Sequence, residues 1–301
     1  MSPVMLSPAG PAVQRIVPGL MNLAQWNLSP QERLNWIEAV LDLGLTTFDH
    51  ADIYGSYTCE GLFGEALALK PSLRQQMQLV TKCGIKLVSP NRPNHALHSY
   101  DTTTQHIIQS AENSLKELRT DYLDVLLIHR PSPLMNPDEI VAAFVDLHGR
   151  GKVRTFGVSN FTPSQFDLLA DRSPFPLVTN QIELSVMALD VLHDGTLDQC
   201  LARGIRPMAW SPLAGGSIFR GDSERAQRVK MALHKVGEEL GQAGLDQVAL
   251  AWILHHPSGV LPVLGTGKIE RLRTAVDAQK LEMNDEQWFA IWEASAGHEV
   301  P

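Results

Sequence analysis

A repeating alternation of helix and strand patterns is the feature that most constrains the fold of this chain. From about residue 29, the sequence repeats a helix start, an amphipathic run, a Gly or polar break and a short apolar run. The first repeat opens with the capping box Ser29-Pro-Gln-Glu32, with proline at the first helical position, and breaks at Gly44 before an apolar run. Strands that alternate with helices in this way predict βαβ units on a parallel sheet.

The number of apolar runs predicts the architecture. Seven strands are expected, at about 45–48, 77–82, 122–128, 153–158, 177–182, 205–210 and 259–264. An eighth is expected either just before the first helix start or within the segment 84–100. This pattern in 301 residues predicts an α/β fold, a (β/α)8 TIM barrel. A doubly wound open sheet is the competing architecture, and the first strand lacks the G-x-G-x-x-G that would favour it.

The ends of the chain are expected to add to this barrel. We predict a short N-terminal extension and a last helix over 285–294 that packs across the outside or bottom of the barrel. No long break in the pattern resembles a domain linker, because apolar periodicity resumes after each one. The sequence therefore predicts a single domain over 1–301.

Charge and composition narrow the function to small molecules. The formal net charge of −8 and the lack of any Lys/Arg-rich run argue against a nucleic-acid partner. No run approaches the ~20 apolar residues that a membrane span needs, so no membrane partner is expected. The three cysteines are widely spaced and odd in number, which suits a reducing compartment. We expect a cytoplasmic protein, as a monomer or a weak homo-oligomer.

Four polar residues follow apolar runs at positions where a barrel places its active site. The carboxyl ends of parallel barrel strands converge on one face. Taken singly, Asp49, Tyr54 and His129 each have an ordinary explanation as turn or core residues. Lys82 is harder to explain that way, because a lysine at the end of an apolar strand is rarely buried without a carboxylate partner.

Together, these four side chains suggest proton transfer to a carbonyl oxygen. Tyrosine titrates near ~10, so it is a poor acid at pH 7 unless a neighbouring cation lowers its pKa. Lys82 is expected to supply that cation, and Asp49 to keep the lysine charged and oriented. His129 is expected to hydrogen-bond the substrate oxygen and fix its position.

The strings that carry these residues resemble the tetrad of the aldo-keto reductase superfamily. They are Asp49-x-Ala51-x-x-Tyr54-Gly55, Thr81-Lys82 and Leu-Ile-His129-Arg-Pro, and the chain is most similar to bacterial predicted oxidoreductases of that superfamily. The resemblance extends over essentially the whole chain. It implies an NAD(P)H-dependent oxidoreductase that reduces aldehyde or ketone carbonyls to alcohols by hydride transfer, with Tyr54 as general acid.

The resemblance also implies an NADP(H) site that needs no Rossmann fold. Ser159, Asn160 and Gln181 match the positions that hold the nicotinamide carboxamide. Trp210 stands where many relatives have a tyrosine that stacks on the nicotinamide ring. The segment that covers the pyrophosphate is matched by Ser211, Leu213 and Gly215, where small residues let backbone amides approach phosphate oxygens.

The adenosine end is implied to lie at the start of the helix after the last strand. Arg271 matches the arginine that reaches the 2′-phosphate, and Thr266 matches a hydroxyl position. The chain departs from the family pattern at Gly265, where a lysine is usual, and at Ala275, where an adenine-binding asparagine is usual. Lys268 is expected to compensate, so NADPH is favoured over NADH. The remaining cofactor-binding position is Gly267, and the candidate substrate-pocket residues are Trp26, Asn22 and Leu23.

Two other functional classes stay open at this stage. A nucleotide-binding regulatory or auxiliary module with little turnover would keep the cofactor site without the reaction. A metal-dependent hydrolase is weaker, because it needs several histidines at different strand ends and only His129 qualifies, so no metal site is predicted. Cys83 is expected to be a small core residue rather than a redox-active thiol.

Overall fold

Eight parallel strands build the barrel in the computed structural model, which describes residues 3–300. All seven strands expected from the sequence are present, although two of them are only three residues long. The strands are β1 (Val17–Pro18), β2 (Thr47–Asp49), β3 (Gln78–Cys83), β4 (Leu123–Ile128), β5 (Val153–Ser159), β6 (Leu177–Glu183), β7 (Met208–Trp210) and β8 (Leu261–Leu264).

The strands pair in chain order and the sheet closes on itself. Each strand from β3 to β8 pairs in parallel with the strand before it. β2 and β1 are joined by a single parallel bridge, Gly19 to Asp49. Val17 of β1 pairs with Val263 of β8, which closes the other side. The eighth strand is therefore the one before the first helix. The alternative segment 84–100 instead holds an antiparallel ribbon, Ile85–Lys86 with Ser99–Tyr100.

Helices follow the strands and cover the outside of the barrel. The capping box predicted at Ser29 is present, because Ser29 Oγ accepts from Glu32 N at 3.3 Å and Ser29 N donates to the Glu32 carboxylate at 2.7 Å. The helices are α1 (Pro30–Asp42), α2 (Cys59–Leu69), α3 (Thr104–Leu118), α4 (Pro137–Gly149), α5 (Pro163–Ala170), α6 (Thr196–Arg203), α7 (Ser217–Arg220), α8 (Glu224–Glu239), α9 (Leu245–His255), α10 (Ile269–Ala278) and α11 (Asp285–Ala296).

A packed apolar interior separates the two ends of the barrel. Val80, Val125 and Val178, on three different strands, are fully buried in one cluster. The N-terminal extension is a hairpin, Val4–Met5 with Ala12–Val13, and its neighbour Leu6 joins the same cluster. The interior is therefore core and not a channel, which leaves the carboxyl ends of the strands as the place for a site.

The last helix packs on the outside, as expected. Trp288 of α11 and Trp252 of α9 stack with their ring centroids 4.8 Å apart. Each indole N–H donates to the other residue's backbone carbonyl at 3.0 Å. The two indoles thus satisfy their only donors while they bury their rings.

Candidate active site

The ammonium group of Lys82 is the centre of the site at the carboxyl ends of the strands. Lys82 lies on β3 and is completely buried. Its Nζ donates to both carboxylate oxygens of Asp49 at 2.8 Å, to the carbonyl of His50 at 2.7 Å and to the hydroxyl oxygen of Tyr54 at 3.0 Å. The buried charge is therefore fully partnered, as the sequence predicted for a strand-end lysine.

The pKa values of Lys82 and of Tyr54 are both raised, although burial acts on them in opposite directions. Burial alone disfavours the charged amine, but Asp49 and Tyr54 outweigh it and raise the pKa of Lys82. Burial raises the pKa of Tyr54, and the opposing pull of Lys82 is too weak to reverse this. The expectation that Lys82 brings the pKa of Tyr54 below its ordinary value is thus wrong for the protein alone. Tyr54 is a neutral phenol at pH 7, with its own hydrogen free because Lys82 donates to its oxygen.

A left-handed turn holds Tyr54 in place. Gly55, Ser56 and Tyr57 all have positive φ, at 57°, 55° and 70°. A Cβ on Gly55 would lie 2.7 Å from Cys59 Sγ, so both the backbone angle and the close approach require glycine. Positive φ in two non-glycine residues is strained, and such strain is found at functional sites.

His129 completes the predicted group of four. It follows β4, and its backbone N donates to the Cys83 carbonyl at 2.9 Å. Its ring faces that of Tyr54 edge-on, with the centroids 6.0 Å apart. Burial, followed by the charges of Lys82 and Arg130, holds the pKa of His129 well below its usual range. The imidazole is therefore neutral at pH 7.

The residues matched to the nicotinamide carboxamide form one amide cluster beside Asp49. Ser159 Oγ donates to the Gln181 carbonyl at 2.9 Å, and Asn160 Nδ2 donates to Ser159 Oγ at 2.8 Å. Gln181 Nε2 donates to Asp49 Oδ1 at 2.8 Å. We refer to Ser159, Asn160 and Gln181 as the amide cluster. Its bond to Asp49, which joins it to the lysine, was not predicted.

Trp210 holds the amide cluster from the other side. Its indole N–H donates to Asn160 Oδ1 at 2.8 Å. Asn160 itself has a φ of 60°, a left-handed conformation that asparagine tolerates better than most residues. The indole N–H is the only hydrogen-bond donor of the Trp210 side chain, and this bond satisfies it.

The segment matched to the pyrophosphate has an unusual backbone. Ser211, Ala214, Gly215 and Gly216 have positive φ values of 51°, 51°, 61° and 88°. A Cβ on Gly215 would meet no atom within 4 Å, so the space beside it is open. Leu213 is half-buried between the two main clusters of the core. The stretch is a short 3-10 turn that leads into α7.

The segment 265–271 is supported by the predicted substrate-pocket residues. Asn22 Nδ2 donates to the Gly265 carbonyl at 3.2 Å. Gly267 packs so closely on Trp26 that a Cβ would lie 2.7 Å from the indole. Trp26 also contacts Trp36, with the ring centroids 4.9 Å apart, and Leu23 is buried in the core. These contacts support the segment 265–271 or the core, and a place for the three residues in a substrate pocket stays a prediction.

The charged groups of this segment point to solvent. Thr266 Oγ1 accepts from Lys268 N at 3.2 Å, at the start of α10. Lys268 and Arg271 are exposed, and neither forms an ion pair with any residue from 3 to 300. Two free cations at a helix N-terminus are the chemistry that favours a phosphate.

Of three buried titratable residues near Lys82, two, Glu60 and His50, were missed by the sequence analysis. Burial raises the pKa of Glu60 to about 7, and Thr81 Oγ1 donates to its carboxyl group at 2.6 Å. Burial, together with Lys82, lowers the pKa of His50 to about 3, and neither ring nitrogen of His50 has a partner among the described residues. Burial also raises the pKa of the Cys83 thiol, which lies in the core as expected.

Comparison with known proteins defines the class to which this barrel belongs. The profile of the Aldo/keto reductase family matches residues 15–296. Oxidoreductase YcsN of Bacillus subtilis (strain 168) is 52% identical over 287 residues, which is 95% of this chain and 96% of the relative. A 6-dehydroglucose reductase of Agrobacterium fabrum is 43% identical over 289 residues, 96% of each protein.

A solved structure agrees with the sequence relatives. The thermostable aldo-keto reductase Tm1743 superposes with a TM-score of 0.81 at 26% identity, over 98% of this chain and 100% of that one. The chain belongs to the aldo/keto reductase family, and it is an NAD(P)H-dependent oxidoreductase. The predicted fold and family are confirmed.

The residues at the strand ends fit a nicotinamide dinucleotide. Gln181 uses its amide N–H on Asp49, and its Oε1 accepts no hydrogen bond from residues 3–300, so that oxygen is left for a carboxamide N–H. Lys268 and Arg271 are free for phosphate at the other end. No three His, Cys, Asp or Glu side chains within the described range are arranged to hold a metal ion. In the same range, no helix is long and apolar enough to cross a membrane.

Proposed function

We propose that the protein reduces an aldehyde or ketone to an alcohol with NADPH, and that Tyr54 donates the proton. The observation that carries this proposal is the hydrogen bond from Lys82 to the Tyr54 oxygen at 3.0 Å. Because the lysine occupies the oxygen, the phenolic hydrogen is available to the substrate. The same lysine stabilises the phenolate that remains after the proton has left.

The four side chains divide the work on the carbonyl group. His129 and Tyr54 approach each other edge-on, and a carbonyl oxygen between them accepts from both. NADPH, when bound, supplies the hydride to the carbonyl carbon. The oxygen takes its proton from Tyr54, so the alcohol leaves neutral. Asp49 keeps Lys82 charged in a site where burial alone would favour the neutral amine.

The preference for NADPH rests on the segment 265–271. Arg271 and Lys268 are exposed cations without ion-pair partners among residues 3–300, and a 2′-phosphate supplies the charge that they lack. NADH has no such group. A comparison of kcat/KM for NADPH and NADH measures this preference directly.

The substrate that we propose is an aldehyde that carries hydroxyl groups. The support is the relative named 6-dehydroglucose reductase, which is 43% identical over nearly its whole length. Substrate recognition in barrels of this kind comes from loops at the carboxyl ends of the strands.

Substitution of Tyr54 by Phe tests the proposed acid. Consumption of NADPH is followed with a panel of small aldehydes and diketones, and nucleotide binding is measured by titration calorimetry. We expect turnover to fall at least ~100-fold while the NADPH affinity changes by less than about twofold. Equal turnover in the two proteins contradicts Tyr54 as the acid. Tight binding without turnover by the unmodified protein on any carbonyl indicates an auxiliary nucleotide-binding module.

A further inference from the structure

A second pair of charged residues stands at the carboxyl ends of the strands, outside the group of four. Arg130 follows β4 by two residues, and Glu183 is the last residue of β6. Glu183 pairs in register with Trp210 of β7, and Ile128 pairs with Val158 of β5. Arg130 and Glu183 therefore both lie at the strand ends that carry the amide cluster, Arg130 next to His129 and Glu183 next to Trp210. We call them the mouth pair.

The guanidinium group of Arg130 lacks the partners that the buried Arg74 has. Its Cζ lies 5.7 Å from the centroid of the Trp210 ring. By contrast, Arg74 donates to four acceptors, Thr120, Met77, Tyr122 and Asp124. Arg130 makes no hydrogen bond or ion pair within residues 3–300, although it is only half exposed to solvent. A guanidinium has five N–H donors, so this one is left ready for a ligand.

The charge of Arg130 affects the pKa values of both His129 and Glu183. It contributes to the lowered pKa of His129, after burial and Lys82. Burial raises the pKa of Glu183, and Arg130 opposes that rise. Glu183 nevertheless forms no ion pair with Arg130. The two charges thus influence each other without forming a direct ion pair, and each lies beside Trp210.

The chemistry of the mouth pair selects among possible ligands. A carboxylate or phosphate on the substrate would gain from Arg130 but would be repelled by Glu183. An apolar substrate would satisfy neither side chain, and both would lose water on its arrival. A hydroxyl group both donates and accepts, so two neighbouring hydroxyls satisfy an arginine and a carboxylate together.

We infer that Arg130 and Glu183 bind hydroxyl groups of the substrate beside the carbonyl, which makes the mouth pair the determinant of specificity for a polyhydroxylated aldehyde. The inference rests on the proposed carbonyl reduction. Arg130 donates to a hydroxyl oxygen near His129, and Glu183 accepts from a hydroxyl farther out. Neither residue takes part in hydride or proton transfer, so their loss changes which aldehyde is used and not whether one is used.

Two aldehydes of equal chain length test this inference. Glyceraldehyde carries two hydroxyls that propanal lacks, and both are reduced at the same carbon. We expect the unmodified protein to have a higher kcat/KM for glyceraldehyde. Arg130→Met, which keeps length without charge, and Glu183→Gln are each expected to raise the KM for glyceraldehyde about tenfold or more. The KM for propanal should stay within about twofold in both variants.

A control and an anionic substrate make the test discriminating. Arg154→Met removes an exposed arginine that also lies over an aromatic ring, that of Tyr122, and should leave both KM values unchanged. If Arg130→Met raises the KM for succinic semialdehyde and not that for glyceraldehyde, then Arg130 binds anions and the inference is wrong. The inference is also wrong if the variants raise the KM for glyceraldehyde and the KM for propanal by the same factor. Failure of the unmodified protein to oxidise NADPH with either aldehyde contradicts the proposed function itself.

Discussion

The two ends of the proposed cofactor surface are built in opposite ways. At the nicotinamide end, Lys82 and Asp49 are buried, and their hydrogen bonds are complete within the protein. At the adenosine end, the backbone is held by Asn22 and Trp26, but the cations of Lys268 and Arg271 are free. The protein alone therefore fixes the geometry of the chemistry, whereas cofactor selectivity depends on contacts that only a ligand completes. Substitutions at the first end should change catalysis, and those at the second should change binding.

Lys82 gives the largest test of the buried end. Lys82→Met leaves the Asp49 carboxylate buried without its cation, and breaking such a pair costs about 3–5 kcal/mol of the free energy of unfolding. We also expect kcat to fall by about 1000-fold, because the Tyr54 phenolate loses its stabilising charge. Chemical denaturation and steady-state kinetics measure the two effects. The double variant Lys82→Met/Asp49→Asn should regain most of the stability and none of the activity; recovery of activity would show that the ion pair is not needed for the chemistry.

Glu60 is buried near Lys82 but is not one of the four residues proposed for proton transfer, so it tests the effect of burial on stability alone. Its pKa of about 7 in the folded protein lies above the ordinary value of 4.5. Between these values the unfolded chain has lost the proton that the folded chain keeps, so stability falls as pH rises from 4.5 to 7. Glu60→Gln removes that fall. The free energy of unfolding of the variant should therefore gain on that of the unmodified protein by about 3 kcal/mol between pH 4.5 and pH 7.

The pH dependence of unfolding checks this advantage, with the exposed substitution Glu286→Gln as a control. A difference between Glu60→Gln and the unmodified protein that is constant with pH would contradict the raised pKa. His50 has a lowered pKa of about 3, which makes stability rise with pH over part of the same range. Because both proteins contain His50, its contribution drops out of the difference between them.

Arg271 tests the exposed end. Arg271→Met should raise the KM for NADPH about 10- to 100-fold and leave that for NADH within about twofold, since only NADPH carries the 2′-phosphate. The loss should shrink at high salt, because exposed charges are screened. Arg273→Met, two residues along the same exposed helix start, is the matched control. An equal loss for both nucleotides would place Arg271 elsewhere than at the 2′-phosphate.

Gln181 lies in the amide cluster at the nicotinamide end and should give the smallest effect. Gln181→Leu removes the hydrogen bond to Asp49 as well as the free acceptor. A residue that only holds the nucleotide would change the KM for NADPH and not kcat. Because Gln181 also positions Asp49, we expect kcat at saturating NADPH to fall about tenfold and its pH profile to shift. An unchanged kcat and pH profile would limit Gln181 to cofactor binding.

The sequence predicted most of the barrel because its periodicity is local. Seven strands followed from apolar runs, and the convergence of Asp49, Lys82 and His129 followed from their places at strand ends. The eighth strand has only two residues, too few to show a pattern. It is recognised by its pairing with β8, which lies more than 240 residues away.

The missed parts of the site all depend on contacts between distant residues. The Gln181–Asp49 bond spans 132 positions, and no local motif encodes it. The bond from Trp210 depends on the left-handed backbone of Asn160. The direction of the Tyr54 pKa depends on how deeply the ring is buried, which residue spacing does not reveal.

The central claim is that the nicotinamide end performs the reaction and the adenosine end selects the cofactor. The rate of hydride transfer in a single turnover tests it most directly. Each protein is mixed with saturating NADPH and then with aldehyde, and the decay of NADPH absorbance is followed. We expect Arg271→Met to transfer hydride at the rate of the unmodified protein, and Tyr54→Phe to be slower by at least ~100-fold. Equal slowing in the two variants, or no slowing in Tyr54→Phe, would contradict the account.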